Sequence, residues 1–419
     1  MTKPIAIIGT LDTKGLEVAY LRDQVRSRGA KVRIIDPGVL GKPAVEADFT
    51  QEQVARAGGG ELAALVAAGD KGLAIQTMID GTRAIVVRLY AEGKLGGVLA
   101  VGGGQGTAIG TAAMQALPIG VPKVMVSTMA SGQNVFEPYV GTSDVTLMHS
   151  VADILGVNAI TRKIFANAAA AVVAMAEASE QVEGSGRMVL GATMLGLTTA
   201  CILRAKDLFD AAGYELVAFH PNGTGGRSME RLIDQGLIQG VLDISTQELT
   251  GHVCGGLFDA GPERLTAAGR QGIPQVVAPG GTDYIVLGPL NSLSAEQRSR
   301  SLIVHNPNIT LVRTARREMA EIGKLMACRL NQARGPAAVL VPLGGFSFSD
   351  RPGHAFFDPE ADAALIEALE GSLAPPIELH LVEAHINDPL FADAIVEKLR
   401  EFMADPRPRR PGAMQEQHG

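Results

Sequence analysis

Tryptophan is missing from this chain, and aromatic residues make up only 4% of its 419 residues. Readers of single-stranded nucleic acid stack bases on aromatic rings, so that class of function is disfavoured. Positive charge is also short. Lys and Arg number 37 against 44 Asp and Glu, for a net charge of −7. Without a basic stripe, a phosphate backbone finds little to bind. The three cysteines, Cys201, Cys254 and Cys328, are odd in number and far apart. They fit neither a disulfide framework nor a CxxC zinc pattern. No apolar run approaches the ~18 uninterrupted residues of a membrane span. The opening MTKPIAIIGT runs straight into a strand pattern and is too short in its apolar run for a secretory signal. The expectation is a soluble, cytoplasmic protein with neither nucleic acid nor membrane as partner.

What is abundant is glycine, 50 residues, against an ordinary background of 46% hydrophobic and 19% charged residues. There is no collagen period, so these glycines belong in turns and ligand loops. The first of them close strand–turn–helix–strand patterns. Pro4 to Gly9 is a short apolar run suited to a buried parallel strand, Thr10 to Gly15 a turn, Leu16 to Arg28 a helix, and Lys31 to Ile35 the next strand. Val54 to Gly93 reads as helices. Gly97 to Val101 is a strand, Gly102 to Thr107 a glycine loop, Ala108 to Leu117 a helix, and Pro122 to Val126 a further strand. Leu147 to Ser179 reads as one or two alanine-rich helices. The polar stretch Glu180 to Arg187 marks a domain boundary. After it the pattern restarts, and VLGATMLGLTTACILRAKDLFDAAGYELVAFH repeats the outline of the first βαβ unit. Strands follow at Gly240 to Ile244, Pro274 to Ala278, Ala337 to Val341 and Ile377 to Val382.

The expected fold class is α/β, two Rossmann-like domains with mostly parallel sheets and helices on both faces. The expected domains are 1–183, a nucleotide-binding domain, 184–405, a second α/β domain, and 406–419, a flexible tail.

Open α/β sheets bind ligands at the carboxyl ends of their strands. Two loops there have phosphate-binding composition. Gly9-Thr10-Leu11-Asp12-Thr13-Lys14-Gly15 offers amides at a helix start, two hydroxyls and a lysine. Gly102-Gly103-Gly104-Gln105-Gly106-Thr107 lets backbone amides approach an anion closely. The plainer reading is tight turns and close helix–sheet packing. Neither loop meets the Walker or the dinucleotide formula. Asp36, closing the second strand, would hold a ribose or serve as a turn residue. Arg83 would clamp a phosphate or lie on the surface.

In the second half, Asn222-Gly-Thr-Gly-Gly-Arg227 has the composition of an anion nest or of a turn. Glu248 follows a strand end. His305 and His385 each sit beside Asn and Pro, the second with Asp388. A histidine near strand-end carboxylates suits general-base or metal work, and is more often structural.

Taken together, GTLDTKG at 9–15, GGGQGT at 102–107, AGPERLTAAGRQGIPQVV at 260–277, HNPNITLVRT at 305–314 and EAHINDP at 383–389 resemble the Tm-one-like ATP-binding family. That group consists of uncharacterised bacterial proteins and also supplies the amino-terminal region of the tomato protein that confers resistance to tomato mosaic virus. The resemblance covers about residues 3 to 400 and implies two Rossmann-like domains, a homo-oligomer (dimer or tetramer), and ATP with Mg²⁺ in the amino-terminal half. Residue by residue it points to Gly9 through Lys14 and Gly102 through Thr107, with Arg83 less directly. The carboxy-terminal barrel of the plant protein has no counterpart here, so an antiviral role is not carried over.

On this basis the expectation is an ATP-dependent enzyme acting on a small metabolite between the domains. Asp12 or Asp144 would hold Mg²⁺. Arg227, Glu248, His305 and His385 would handle the acceptor. The alternative is a nucleotide-binding regulatory or sensor module without catalysis.

Overall fold

A computed structural model describes residues 3–131, 136–179 and 185–404. The chain divides into two compact units, Met1–Gly184 and Ser185–Gly419. The polar stretch 180–184, read above as the start of a boundary, and the tail 406–419 lie outside the described residues.

The first unit runs β1 (Ile5–Ile8), α1 (Leu11–Arg26), β2 (Val32–Ile35), α2 (Gln51–Ala57), α3 (Leu62–Ala68), α4 (Lys71–Ala91), β3 (Gly97–Gly102), α5 (Gly104–Gln115), β4 (Lys123–Ser127), α6 (Glu137–Val140), β5 (Thr146–His149) and α7 (Ala159–Ser179). Its five strands are all parallel, in the order β2-β1-β3-β4-β5. The three central strands β1, β3 and β4 are buried on both faces, which is why they read as unbroken apolar runs rather than alternations. One face packs Leu21 and Val25 of α1 and Phe165, Ala169 and Val172 of α7. The other packs Val54, Met78, Ile85, Ile109 and Met114 from α2, α4 and α5. Helix α7 is long and apolar enough to cross a membrane by composition alone. Its apolar face, Phe165 to Ala176, is spent in this core.

The second unit runs β6 (Val189–Thr193), α8 (Thr199–Ala211), β7 (Glu215–Phe219), α9 (Gly225–Asp234), β8 (Gly240–Ser245), α10 (Gln247–Cys254), α11 (Ala267–Gln271), β9 (Gln275–Gly280), β10 (Tyr284–Leu287), α12 (Ala295–Ser299), β11 (Leu302–Asn306), β12 (Ile309–Arg313), α13 (Arg316–Leu330), β13 (Ala337–Pro342), α14 (Pro359–Ser372), β14 (Glu378–Val382) and α15 (Pro389–Ala404). Its main sheet is also wholly parallel, in the order β7-β6-β8-β9-β13-β14. The order of the first unit therefore recurs with one further strand, which gives the repeated βαβ outline a topological counterpart. Helices α8 and α15 cover one face and α13 and α14 the other. A separate antiparallel sheet, β10-β12-β11, is inserted after β9.

Three local readings change. The stretch 147–179 is not helix throughout. Thr146–His149 forms the edge strand β5, and α7 begins only at Ala159. Both presumed phosphate loops are themselves first turns of helices. Helix α1 starts at Leu11 and kinks at Lys14 (φ −125°, ψ 20°), and α5 starts at Gly104. Glycine disfavours helix, so a composition reading places it outside the element, whereas packing on the sheet decides the outcome.

Candidate functional site

In a sheet of order 2-1-3-4-5 the chain leaves β1 in one direction and β3 in the other, so a crevice opens at their carboxyl ends. A cavity of about 530 Å³ lies there, within the range of small-molecule sites. Its polar lining comes from the turn after β1 (Thr10, Asp12, Thr13, Lys14) and from Gly102 through Gly106 after β3. Its apolar wall comes from Val39, Leu40, Ile75, Met78 and Ile109. The two glycine-bearing segments, 93 residues apart in sequence between Gly9 and Gly102, thus meet in one pocket.

The glycines of the second segment divide by physical role. A Cβ on Gly102 would lie 2.7 Å from Gly106 Cα, so the strand-to-helix turn itself demands glycine there. Gly103, Gly104 and Gly106 are different. Added Cβ atoms would meet nothing nearer than 3.7, 4.0 and 3.4 Å, and none of the three has positive φ. Neither packing nor backbone conformation requires them to be glycine. The first turn of a helix leaves its N–H groups without intrahelical acceptors, and bare backbone here leaves those amides open to an anion at the positive end of the α5 dipole.

Lys14 lines the same cavity, and its ammonium donates to the Ile154 carbonyl. Asp12 accepts from Gly41 N–H through Oδ2 (3.2 Å), while its buried Oδ1 has no hydrogen-bond partner. A buried carboxylate oxygen left unmatched is costly and chemically suited to a cation or a hydroxyl. Among the described residues no group of three His, Cys, Asp or Glu could hold a metal ion. Asp12 fits Mg²⁺ only in the manner in which that ion usually binds, through one or two carboxylates plus phosphate oxygens.

The remaining first-half candidates sit elsewhere. Gly9 is a packing glycine, since its Cβ would lie 2.6 Å from Val18 Cγ2. Leu11 is core. Thr107 is buried behind the turn and bonds Gly103 O (2.8 Å) and Ser127 Oγ (2.6 Å). Asp36 has no exposed surface, and its Oδ1 accepts from the N–H groups of Leu11 (3.0 Å) and Gly38 (2.9 Å). It is thus the turn residue of the two alternatives, with its pKa raised by burial. Arg83 is half exposed and pairs with Asp80 at 3.7 Å, outside the pocket lining. Asp144 lies before β5, at the amino ends of the strands. It binds the buried Lys123 at the start of β4 (2.6 Å) and Gly120 N–H (2.8 Å). The structure therefore does not bring Asp12 and Asp144 together. The pocket wall from Pro37 to Leu40 was not singled out in sequence, although Pro37-Gly38 directly after a strand was the signal for it.

In the second unit the anion-nest composition at 222–227 is real, and its anion is the chain's own. Glu248 Oε1 accepts from Gly223 N–H (2.7 Å) and Gly226 N–H (3.2 Å). Its Oε2 accepts from Arg264 Nε (2.6 Å), and Arg264 also pairs with Asp243 and Glu230. Burial works against the Arg264 charge, but these three carboxylates outweigh it and hold the guanidinium protonated. Glu248 is fully buried, so its work here is structural. Arg227 donates through Nε to Gly223 O (2.7 Å).

His385 Nε2 lies 2.9 Å from the Ser347 carbonyl and therefore donates, and Nδ1 accepts from Asn387 N–H at 3.1 Å. Both ring nitrogens are engaged in holding the loop after β14. His305 is exposed, at a register shift in β11. Glu248 thus lies in α10, His305 in β11 and His385 in the loop after β14, and Glu248 and His385 are held by separate partners. At the carboxyl ends of β6 and β8 the chain bonds itself, Ser245 N–H donating to Thr193 Oγ1 (2.9 Å) and Thr198 Oγ1 lying 2.7 Å from Ser245 Oγ, while Leu195 packs in one cluster with Tyr284 and Phe356.

The fold and the pocket define a two-unit, doubly wound α/β protein with an open switch-point cavity in its first unit. Family models for the N-terminal and C-terminal domains of the uncharacterised protein family UPF0261 match residues 3–181 and 187–403. The chain belongs to that family. It is 41% identical to a UPF0261 protein of Clostridium tetani, over 96% of this chain and all of the relative. It is likewise 41% identical to one of Rhizobium meliloti, over 96% and 99%. The ToMV resistance protein Tm-1(GCR237) of Solanum lycopersicum is 35% identical over 94% of this chain and 55% of its own length.

Proposed function

We propose that the switch-point pocket of the first unit binds ATP with Mg²⁺ and that this chain serves as a nucleotide-binding regulatory module. The observation that carries the reading is the run Gly103, Gly104 and Gly106, three glycines on the pocket wall that the fold does not itself require. The amides of the α5 first turn and Lys14 would hold phosphates. The wall of Val39, Leu40, Ile75, Met78 and Ile109 suits a base. The unmatched Asp12 Oδ1 would meet Mg²⁺ together with phosphate oxygens. The family resemblance of the two motifs points the same way.

Regulation rather than turnover is favoured because Glu248 and His385, the candidates for acceptor chemistry, are already fully engaged in the second unit. An ATP-dependent enzyme acting on a small metabolite is the second reading. As part of the same proposal the chain works in the cytoplasm as a homo-oligomer. Its three cysteines, all unpaired, suit a reducing compartment.

Calorimetric titration with ATP, ADP and NADPH, with and without Mg²⁺, tests the site, and phosphate release against a metabolite pool tests the choice. Magnesium-dependent ATP binding without release supports the module. Steady release restores the enzyme, and no binding at millimolar ATP removes both.

A further inference from the structure

Lys14 faces two ways. Its side chain lines the pocket while its ammonium donates to the main-chain carbonyl of Ile154. Ile154 belongs to the segment 150–157 that joins β5 to α7. Helix α1 grips that segment a second time, where Gly156 N–H donates to Oε1 of the buried Glu17 at 2.8 Å.

The start of the segment is strained. Val151 has φ +62°, and Ala152 N–H donates back to the Ser150 carbonyl at 2.6 Å. This is a γ-turn with its central residue in the left-handed region, a rare and unfavourable form. A β-branched residue is a true outlier there. Packing offers no return, because Val151 is 66% exposed. Such a conformation persists only where the surroundings over-determine it. Those surroundings are the Ser150 contacts to Ser127 O (3.1 Å) and Ala152 O (2.7 Å), the buried Ile154 side chain, and the two grips from α1.

We propose that Lys14 is a latch that holds the 150–157 segment in its strained form until the phosphates of a pocket nucleotide draw the ammonium away from Ile154. The proposal rests on reading the pocket as a nucleotide site. A charged donor bonds a phosphate oxygen more strongly than a neutral carbonyl, and relief of the turn at Val151 adds to the exchange. The segment is then a two-state element biased by the pocket ligand. Only a ligand that reaches Lys14 with phosphate moves it. A nucleoside lying against the apolar wall does not.

Amide hydrogen exchange on the full chain tests this, with calorimetry on the same samples. The probes are ATP with Mg²⁺, tripolyphosphate and adenosine. Exchange at Ala152, Ile154, Leu155 and Gly156 is expected to quicken on the order of fivefold or more under ATP or tripolyphosphate, and to stay unchanged under adenosine. Lys14→Ala is expected to show the fast exchange with no ligand present, while amides of β1 and β3 keep their protection. Val151→Gly, which adopts positive φ without strain, is expected to exchange slowly even under ATP and to need more ATP for half-saturation. If calorimetry shows ATP binding and the segment is unchanged or slower, the latch is overturned and the nucleotide site stands. If ligand-free Lys14→Ala exchanges like the parent chain, the latch is overturned on that ground alone. No heat with any phosphate ligand removes both the site and the latch.

Discussion

Gly226 exists where it does because of Glu248. A Cβ on Gly226 would lie 1.8 Å from Glu248 Oε2 and 2.4 Å from Arg264 Nε. The glycine-rich turn at the start of α9 is thus a socket for a buried carboxylate that also neutralises Arg264. Gly226→Ala is expected to destabilise the second unit by roughly 3 kcal/mol or more, since both neighbours are buried charged groups that cannot give way. Glu248→Gln keeps the shape but leaves Arg264 one carboxylate short, at a cost of about 2–4 kcal/mol. With no tryptophan in the chain, urea midpoints followed by far-ultraviolet circular dichroism measure both. A midpoint unchanged in Gly226→Ala would contradict the socket.

The pocket glycines make the opposite prediction. Alanine at Gly103 or Gly104 meets no atom nearer than 3.7 or 4.0 Å. At Gly104, the first residue of α5, it is expected to leave stability equal or to raise it by about 0.5–1 kcal/mol. Nucleotide affinity is expected to fall by about tenfold or more, because the added methyl group stands where amides must meet phosphate. A gain in urea midpoint together with loss of calorimetric binding is the signature. Equal affinity in both alanine variants would remove the main support for the site.

What sequence alone disclosed divides along the range of the interactions involved. Strands such as Gly97–Gly102 were legible because burial on both faces leaves an unbroken apolar run. The two pocket segments were legible because switch-point loops concentrate glycine at strand ends. Edge strand β5, only four half-buried residues, disappears into the alanine-rich helix that follows it. Strand β12 was missed for a different reason. Thr310 through Arg313 are buried on both sides of the antiparallel sheet, so no alternation marks them. The role of Glu248 was illegible because its partners Gly223 and Arg264 lie 25 and 16 residues away. A strand-end acid committed to a buried arginine reads the same in one dimension as a strand-end acid facing solvent.

Asp144 and Asp12 separate a structural from a ligand role. Asp144 is an acceptor for the fully buried Lys123 side chain. Asp144→Ala removes the carboxylate that faces that ammonium, which also donates to the Pro118 and Val121 carbonyls. The expected cost is roughly 3 kcal/mol of stability, with Mg²⁺-dependent ATP binding unchanged. Asp12→Asn is expected to do the reverse. It keeps the fold while binding becomes insensitive to Mg²⁺, since the unmatched Oδ1 is the carboxylate oxygen at the pocket. Titrations with and without Mg²⁺ on both variants decide it, and a loss of magnesium dependence in Asp144→Ala would overturn the assignment.

The second unit carries a further charge cluster whose pH response is predictable. Arg313 donates to Asp362 Oδ1 at 2.6 Å, and Ser347 Oγ donates to Asp283 Oδ2 at 2.6 Å. Asp350 accepts from Phe346 N–H at 2.8 Å, and Oδ1 of both Asp283 and Asp350 is buried without a partner. Three carboxyls thus share one guanidinium. Burial, reinforced by Asp350, raises Asp283 to about 7 and Asp362 to about 8. A carboxyl whose folded pKa is raised keeps its proton in the folded state after the unfolded chain has released it. Its contribution is therefore complete below the ordinary carboxylate pKa and is lost as pH rises to the folded value. Between about pH 5 and 7 the cluster therefore loses stability as pH rises, by about 1.4 kcal/mol per pH unit for each proton that the folded cluster as a whole retains over the unfolded chain. Asp283→Asn accepts the Ser347 hydrogen bond and cannot ionise, so it is expected to flatten that slope by about one group's worth. Urea unfolding of both chains across this window measures the difference. Parallel slopes would show that Asp283 is already ionised in the folded protein.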